Sequence, residues 1–576
     1  MDKELFARLA ARYRKSLLLV LGASVLFNLL VFSGTAYLIL VYDNVLPGRS
    51  TPTLVGLFAI LIALYLFQFV FDVIRSDALL GVANGVHCDL APAVNHATLA
   101  KPLRSGPGEG DGLQWIRDLD QIHAFLSSPG PSAIFDLPWV FVFLVILAAL
   151  HWWLGLAALA GVAVLAAIAI ATSRKSHDGT RELARIGNFR ASARLAQLRF
   201  GETAIAMGMQ ERLGARVSQW DEAFLGTQTG LGRIIARYGG AGRVFRLLLQ
   251  SLIITVGALL VIDDKATGGV ILAASVLAGR ALAPVDLAIA NWRGYAAARS
   301  GWSRIVEAIG SHRAPPPRSF ALEGPKGALS LNSVWVVPPG SSNAVVAGVS
   351  LTLQPGDALA VIGASAAGKT SLVKAMLGIW PAARGEIRLD GATYDQWETQ
   401  TLGASFGYVP QAVELMEGTI GENIARFDPE ATSQSVIAAA RAAGMHETIL
   451  ALGNGYDTRV STGGIELSAG QRQRIGLARA LYGDPHLVVL DEANSNLDAA
   501  GDDALAAAIR AVRARGGIVV MVTHRPATLG PVSLVAVLDK GRLADFGDRD
   551  EVIGRYRSNA APPGNTTRKP ARVTAT

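Results

Sequence analysis

Six long apolar runs in the N-terminal half constrain the fold of this chain more than any other feature. They cover residues 16–41, 54–71, 134–150, 153–172, 244–262 and 268–290. Each is close to the roughly 20 residues that an α-helix needs to cross the hydrocarbon core of a bilayer. Six such runs are difficult to bury in a soluble core, and 51% of the 576 residues are hydrophobic. The sequence therefore predicts six membrane-spanning helices.

The placement of basic residues predicts the orientation of these helices. The formal net charge is +7, and arginines and lysines cluster before the first run and between the fourth and fifth runs. By the positive-inside rule, the N-terminus, the connections at about 72–133 and 173–243, and the C-terminal half are cytoplasmic. The two connections have helical periodicity and should extend the spans as long helices. Since topology accounts for the basic charge, no nucleic-acid partner is expected.

Two charged residues, Arg280 and Asp286, flank Pro284 within the sixth run. In one interpretation they line a translocation path or pair with another helix, because charges inside a membrane usually face a cavity or a partner. In the other, they lie near the cytoplasmic end and extend their charged groups to the interface. Cys88 is the single cysteine, which excludes an intrachain disulfide and a cysteine-based zinc cluster.

The C-terminal half contains a phosphate-binding loop. Residues 363–370 read GASAAGKT, between a predicted buried strand at 358–362 and a predicted helix at 371–379. Glycines let backbone N–H groups point at phosphate oxygens, Lys369 reaches the β- and γ-phosphates, and Thr370 places a hydroxyl on Mg²⁺. The spacing predicts binding of ATP or GTP. The predicted nucleotide ligands of this loop are Gly363, Ala364, Ser365, Ala366, Ala367, Gly368, Lys369, Thr370 and Ser371.

A second nucleotide motif lies further along the chain. The run HLVVLDE (486–492) is predicted to be a buried strand that ends in two carboxylates, the Walker B arrangement. Asp491 is expected to hold Mg²⁺. Glu492 is expected to act as general base on the attacking water, since a base beside the γ-phosphate need not touch the metal.

Four further stretches carry a family resemblance. LSAGQRQRIGLARAL (467–481) resembles the signature motif of ABC-type ATPases. GYVPQ (407–411) is similar to the Q-loop, SNLD (495–498) to the D-loop and VTHR (522–525) to the switch strand. With the two motifs above they stand in the family's order, so the chain is identified as a member of the ABC family. The resemblance implies catalytic roles for Gln411 and His524, with Gln411 also a Mg²⁺ ligand. It further implies nucleotide contacts from Ser468, Gly470, Gln471 and Asp498.

The resemblance implies an α-helical, six-span transmembrane domain fused to an α/β P-loop nucleotide-binding domain. The expected ranges are 1–310 for the transmembrane domain, 311–327 for a proline-rich linker, 328–556 for the ATPase and 557–576 for a disordered tail. One set of motifs with six spans implies a half-transporter that works as a homodimer. Each ATP would lie between one chain's phosphate loop and the other chain's signature, where Ser468 and Gly470 cap the γ-phosphate. ATP closes the dimer, hydrolysis reopens it, and both sites are expected to hydrolyse.

Three positions depart from the family pattern. Ala469 stands in the signature where glycine is usual. In SVWVVPPG (333–340), Trp335 either substitutes for an aromatic residue that stacks on adenine or is a core tryptophan, and GTP is not excluded. Thr462 stands where exporters commonly carry a glutamate that touches the coupling helices.

Other stretches resemble one branch of the family. VYDNVLPGRS (41–50) and FDLPW (135–139) are similar to segments of type I secretion ATPases. VLAGRALAPVDLAIANWR (276–293) and DEANSNLD (491–498) resemble the PrtD-type branch, which exports proteases, lipases and similar polypeptides. As local structure, the first two stretches are predicted to be a loop after span one and the start of span three.

The resemblance to type I secretion ATPases carries expectations about cargo and partners. About 15 residues precede the first run, so no leader-peptidase domain is expected. The cargo implied is an unfolded polypeptide with an uncleaved C-terminal signal. The partners implied are a periplasmic adaptor and an outer-membrane channel of the TolC type, with this chain in the bacterial inner membrane.

Two alternatives remain open at this point. A lipid or drug flippase of the same architecture would need no adaptor. An ATP-gated channel or regulatory membrane protein would not require a hydrolytic base, so the presence of Glu492 and His524 argues against it.

Overall fold

The computed structural model describes residues 2–104, 113–311, 322–460, 466–523 and 529–560. The chain divides into two compact units, residues 1–102 with 108–314 and residues 103–107 with 315–576. His524, Thr462 and most of the expected linker lie outside the described residues.

The first unit is helical. Its helices are α1 (Asp2–Arg12), α2 (Arg14–Leu40), a π-helix (Val41–Val45), α3 (Leu46–Gly48), α4 (Thr51–Arg104), α5 (Gln114–Leu126), α6 (Pro129–Leu150), α7 (Trp152–Arg199), α8 (Gly201–Ala206), α9 (Gln210–Ile262), α10 (Gly268–Ala290) and α11 (Trp292–Ser311). In the part of the chain that the structure describes, six helices are long and apolar enough to cross a membrane: α2 with its continuation, α4, α6, α7, α9 and α10. This confirms the six predicted spans.

Three of the six spanning helices continue far beyond their apolar runs. Helices α4, α7 and α9 have 54, 48 and 53 residues, as the helical periodicity of the two long connections predicts. The polar ends of α7 and α9 pack side by side. There Phe189 stacks on Trp220 with ring centroids 5.6 Å apart, and the Arg190 guanidinium lies 4.1 Å from the centroid of Phe224.

The prediction of a loop at 41–50 is wrong over most of that range. The helix of span one continues through the π-helix Val41–Val45 and α3, and the chain turns only at Arg49, whose φ is 48°. The physical reason is a long-range contact. The Asp43 carboxylate accepts hydrogen bonds from Thr267 Oγ1 at 2.6 Å and from Gly269 N at 2.8 Å, at the start of α10. An anion that satisfies free N–H groups of a helix N-terminus stabilises that end.

The FDLPW stretch lies inside α6 and does not start it, which corrects a second expectation. The helix begins at Pro129, and the Ser128 hydroxyl caps it by accepting a hydrogen bond from Gly130 N at 3.1 Å. Proline is favoured in the first turn of a helix because N–H groups there have no acceptor within the helix, so the N–H that proline lacks is not needed. Asp136 and Pro138 both lie within the helix, so the helical backbone sets the position of the Asp136 side chain.

The second unit has an α/β architecture. Its strands are β1 (Leu329–Val336), β2 (Val346–Leu353), β3 (Ala358–Gly363), β4 (Arg384–Leu389), β5 (Ala392–Thr393), β6 (Phe406–Val409), β7 (Gly418–Thr419), β8 (Arg459–Val460), β9 (Leu487–Asp491), β10 (Ile518–Val522), β11 (Leu534–Asp539) and β12 (Arg542–Asp548). Its α-helices are α12 (Lys369–Met376), α13 (Thr399–Ala404), α14 (Ile420–Ile424), α15 (Ser433–Ala442), α16 (His446–Leu450), α17 (Ala469–Leu481), α18 (Ala499–Ala514) and α19 (Arg549–Ala560). Because α19 reaches Ala560, the first four residues of the tail expected at 557–576 are helical, and the rest lie outside the described residues.

Two large sheets organise this unit, and β7 and β8 form a separate two-stranded sheet. The larger has the strand order β12-β11-β3-β10-β9-β6 and is parallel except for the β11–β12 pair. The smaller is antiparallel, in the order β2-β1-β4-β5. Strands β9 and β10 are buried along their whole length, as expected for parallel strands covered on both faces. Their register pairs Val522 with Asp491 and with Val361, so the carboxyl ends of β3, β9 and β10 meet at one edge. Ligands of open α/β sheets bind at such an edge.

Candidate functional site

The loop after β3 requires its two framing glycines. Gly363 has φ 152° and Gly368 has φ 97°. A Cβ on Gly363 would lie 2.2 Å from Leu538 O, and one on Gly368 would lie 2.6 Å from Val345 O. Backbone from elsewhere in the unit therefore occupies the space that any side chain would need. The loop bends between these points and leads into α12, whose first N–H groups are free to bind an anion.

Lys369 is held against this loop. Its Nζ donates to Gly363 O at 3.0 Å and to Ala364 O at 2.8 Å, and the residue is 6% exposed. Burial lowers the pKa of the Lys369 amino group, while the neighbouring carboxylates Glu492 and Asp491 act in the opposite direction. When a nucleotide binds, the ammonium group can leave these carbonyl oxygens and bind phosphate oxygens with only a short movement.

Asp491 ends β9 directly beside Thr370. The Thr370 hydroxyl donates to Asp491 Oδ1 at 3.3 Å, and Asp491 is 1% exposed. Burial raises the pKa of this carboxyl, and the hydrogen bond from Thr370 lowers it by less. The second oxygen, Oδ2, is buried and has no hydrogen-bond partner among the described residues.

A hydroxyl and a carboxylate with one free oxygen suit a hard divalent cation. The described residues contain no cluster of three or more histidine, cysteine, aspartate or glutamate side chains that could hold a metal ion. Mg²⁺ usually binds through one or two protein oxygens together with phosphates and water, so the Thr370–Asp491 pair fits this ion.

Glu492 follows Asp491 in a left-handed backbone conformation. Its φ is 53°, and its N–H donates to Val522 O at 3.1 Å. This turn points successive side chains in different directions at the strand end. Gln411, two residues beyond β6, donates from Nε2 to Glu492 Oε2 at 2.8 Å. Gln411 and Glu492, two of the residues predicted to act in hydrolysis, therefore meet at the carboxyl edge of the sheet.

The signature residues build the N-terminus of α17. Ser468 and Gln471 form a capping box, with Gln471 N donating to Ser468 Oγ at 3.2 Å and Ser468 N donating to Gln471 Oε1 at 2.9 Å. A Cβ on Gly470 would lie 2.8 Å from Asn496 O, so the helix and the D-loop approach closely there. Asp498 caps α18 by accepting from Gly501 N at 2.9 Å. Ser468 is exposed, which leaves this helix end open to a ligand.

Gln473 also belongs to the site, although no sequence motif predicted it. Gln473 is 3% exposed; its Nε2 donates to Glu492 O at 3.3 Å, and its Oε1 accepts from Asn496 N at 3.1 Å. It therefore joins α17 to the turn after β9 and to the D-loop. The available signal was helical spacing within the signature stretch, since Gln473 shares the buried face of α17 with Leu477.

A buried polar network in the membrane unit was also not predicted. Asp136 of α6 accepts hydrogen bonds from Ser24 Oγ and Asn28 Nδ2 of α2, each at 2.7 Å, and from Arg75 Nη1 of α4 at 2.8 Å. The side chains of Arg75 and Asp136 are 8% and 9% exposed. The Arg75 guanidinium also lies 4.6 Å from the ring centroid of Phe27. The network links three spans, and its one sequence signal was a carboxylate inside an apolar run.

Three further predicted positions, Arg280, Asp286 and Trp335, lie away from the phosphate-binding loop. Asp286 Oδ2 lies 2.8 Å from Arg246 Nη1 of α9, whereas Arg280 is exposed on α10. Trp335 is half-buried on β1 between Val334 and Val336, which are fully buried.

Comparisons with known proteins agree with this geometry. The ABC transporter family model matches residues 346–495. The chain is 45% identical over 534 residues to the type I secretion system ATP-binding protein PrsD of Rhizobium meliloti (strain 1021), which covers 92% of this chain and 91% of that protein. It is 25% identical over 556 residues to the alpha-hemolysin translocation ATP-binding protein HlyB of Escherichia coli, covering 95% of this chain and 78% of that protein.

A solved structure, that of a bacterial Atm1-family ABC exporter with ATP bound, matches with a TM-score of 0.83 at 21% identity, over 96% of this chain and 100% of that one. This likeness shows the ABC exporter fold. The predicted resemblance and fold class are thereby confirmed. The chain belongs to the ABC transporters, in the family of type I secretion system ATP-binding proteins, and is a membrane transporter that binds and hydrolyses ATP.

Proposed function

We propose that this protein is the motor that exports an unfolded polypeptide with a C-terminal signal across the bacterial inner membrane. The observation that carries the proposal is the 45% identity to PrsD over 534 residues. An alignment of that length includes the spanning helices as well as the ATPase, and the spanning helices are the part that meets cargo. No described contact favours a lipid or drug flippase, or an ATP-gated channel, over this function.

In the proposed catalytic cycle, the chain first binds the nucleotide phosphates. The loop from Gly363 to Ser371 surrounds them, and Lys369 turns from the carbonyls of Gly363 and Ala364 to the β- and γ-phosphates. Thr370, Asp491 and Gln411 would hold Mg²⁺, which neutralises phosphate charge when bound. The unpartnered Oδ2 of Asp491 supports this assignment.

The hydrolytic step is assigned to Glu492. As general base it would take a proton from the attacking water, a role typically worth 10²–10⁴-fold in rate. Gln411 holds one Glu492 oxygen at 2.8 Å, which fixes the direction of the carboxylate. His524, in the stretch that resembles the switch strand of ABC-type ATPases, would contact the γ-phosphate.

The proposed active form is a homodimer. Ser468, Gly470, Gln471 and Asp498 would reach the ATP of the partner chain, because they lie at an exposed helix N-terminus and in the adjoining D-loop. The positive end of the α17 dipole suits a γ-phosphate. A periplasmic adaptor and an outer-membrane channel of the TolC type would complete the conduit.

A crosslinked pull-down from the native membrane, read by mass spectrometry, tests the proposed function. Recovery of a periplasmic adaptor and an outer-membrane channel with this chain is the expected result. Recovery of the homodimer alone, with ATPase activity stimulated by lipid or drug, would contradict polypeptide export and favour a flippase.

A further inference from the structure

We propose that Gln473 is a positioning residue for ATP hydrolysis, which holds the backbone turn at Glu492 and makes that turn follow the position of the signature helix α17. The roles of Glu492 as base and of α17 in the partner's site belong to the proposed function, so this inference rests on it. Gln473 lies early in α17 and is 3% exposed, so its amide group faces the interior of the nucleotide-binding unit.

The backbone of Glu492 has a conformation that neighbouring groups must maintain. Its φ of 53° is uncommon for a residue with a side chain, because Cβ crowds the backbone in the left-handed region. Such conformations persist where the surrounding contacts fix them. The Glu492 N–H donates to Val522 O at 3.1 Å, and the Glu492 carbonyl oxygen accepts from Ser495 N at 3.1 Å. The same carbonyl oxygen accepts from Gln473 Nε2 at 3.3 Å, so Gln473 helps to hold the turn that orients the carboxylate.

Both ends of the Gln473 amide make hydrogen bonds. Nε2 donates to Glu492 O and, at 3.5 Å, to Ser495 Oγ. Oε1 accepts from Asn496 N at 3.1 Å. A carbonyl oxygen on one side needs a donor and an N–H group on the other needs an acceptor, and a neutral amide supplies both. The contacts therefore depend on the chemistry of the amide and not on side-chain volume alone.

The helix that carries Gln473 begins with the signature residues. Ser468 is the N-cap of α17, and a Cβ on Gly470 would lie 2.8 Å from Asn496 O. Rigid secondary elements carry displacements between sites, so a shift of the first turn of α17 also shifts Gln473. In the proposed homodimer, Ser468 contacts the partner's ATP, whereas Glu492 acts on the ATP of its own chain. Engagement of one ATP by α17 thus sets the turn that orients the base at the other.

The first test separates catalysis from nucleotide binding. Gln473→Met keeps a similar length and removes the amide, so kcat should fall about tenfold, as expected for the loss of a hydrogen bond between uncharged groups. The Kd for ATP should stay unchanged, because Lys369 and Thr370 keep their contacts. Leu477→Ala, on the same buried face of α17, is the matched control and should lower Tm but not kcat. An unchanged kcat in Gln473→Met, or an equal loss of ATP affinity, would overturn the proposal.

The second test determines whether Gln473 acts through Glu492. Single-turnover hydrolysis is compared in the full-length wild type, Gln473→Met, Glu492→Gln and the double variant. In the Glu492→Gln background there is no base to orient, so Gln473→Met should have little further effect on the rate. A loss by the same factor in both backgrounds would assign Gln473 to general stability of the fold and would overturn the positioning role.

A second double-mutant cycle, with Ser468→Ala, tests the link to the signature helix. If the two residues act along one route, the double variant should lose much less activity than the product of the two single losses. Fully multiplicative losses, or wild-type turnover in Ser468→Ala, would contradict transmission through α17. These assays use the purified chain in lipid nanodiscs and need neither adaptor nor channel. A failed cycle therefore rejects the role of Gln473, whereas a failed pull-down rejects polypeptide export.

Discussion

Gln411 Nε2 donates a hydrogen bond to Glu492 Oε2 at 2.8 Å, across the carboxyl edge of two neighbouring strands, β6 and β9. The same glutamine is proposed as a Mg²⁺ ligand, and a side chain amide has one carbonyl oxygen and one NH₂ group. Gln411 can therefore turn its oxygen to the metal while its nitrogen still holds the base. This pairing connects metal binding to the orientation of Glu492.

Glu492→Gln keeps the shape of the side chain and removes its basicity. We expect ATP binding to persist while the turnover rate falls by about 10²-fold or more, since that is the usual contribution of a general base. Phosphate release and nucleotide affinity should be measured on the same preparation. Normal turnover would remove Glu492 from its assigned role.

Lys369→Ala removes the buried ammonium from the phosphate loop. We expect weaker ATP binding, by at least about tenfold, because a charge-assisted contact to phosphate contributes roughly 1.5–3 kcal/mol. Equilibrium binding of labelled ATP is the measurement. Lys374→Ala is not a suitable control, because the half-buried Lys374 places its Nζ 4.7 Å from the ring centroid of Trp380. Lys540→Ala, beyond β11, serves instead. An unchanged affinity in Lys369→Ala would argue against its role.

Asp491→Asn tests the cation site that Thr370 and Asp491 form. We expect a loss of the Mg²⁺-dependent part of ATP affinity, because a neutral amide is a poorer ligand for a hard cation. ATP binding measured in EDTA should be the same in the variant and the wild type. If Mg²⁺ raised the ATP affinity of the variant and of the wild type by the same factor, Asp491 would not hold the ion.

Arg75→Met leaves the Asp136 carboxylate without its buried cation. Breaking a buried pair by removing one partner typically costs 3–5 kcal/mol, so the apparent Tm of the purified membrane protein should fall by several degrees. The double variant Arg75→Met/Asp136→Leu should recover much of the loss, since it removes both buried charges, and Asp72, the other partner of Arg75, is exposed. Equal Tm values for wild type and Arg75→Met would show that the network does not stabilise the spans.

Tyr408 should make the stability of the nucleotide-binding unit depend on pH in the alkaline range. Burial, and to a lesser extent the charge of Asp491, raises the pKa of the Tyr408 hydroxyl to about 12. In the unfolded chain the same group ionises near 10. The stability that the protonated phenol contributes is therefore complete below pH 10 and lost as pH rises toward 12.

Tyr408→Phe should abolish this loss, so the stability of the variant should fall less steeply with rising pH than that of the wild type between pH 10 and 12. Tryptophan fluorescence during alkaline titration reports the transition. Superimposable titration curves for the two proteins would show that Tyr408 does not titrate with folding.

Local sequence patterns were sufficient for much of the fold. Apolar runs predict spans because a bilayer demands length and hydrophobicity from each helix independently. The strand before the phosphate loop and the strand before Asp491 are likewise continuous apolar runs bounded by recognisable motifs. These features depend on neighbouring residues alone, so they are visible in the sequence.

Features that depend on distant contacts were not predictable. Helix continuation through Val41–Val45 depends on Asp43 meeting Thr267 and Gly269, more than two hundred residues away. The partners of Asp136 come from two other helices, α2 and α4, and Gln473 acquires its role only when α17 lies beside the D-loop. Nothing in the spacing of the motifs specifies those contacts.

The central claim, that ATP hydrolysis here drives polypeptide export, is tested most directly by the proteome of the culture medium. Cells that carry the wild-type chain should be compared with cells that carry Glu492→Gln at the same level. The proposed function predicts that one or a few polypeptides with intact C-termini disappear from the medium and accumulate inside the variant cells. An unchanged medium, with altered lipid distribution or drug sensitivity in the variant, would contradict it.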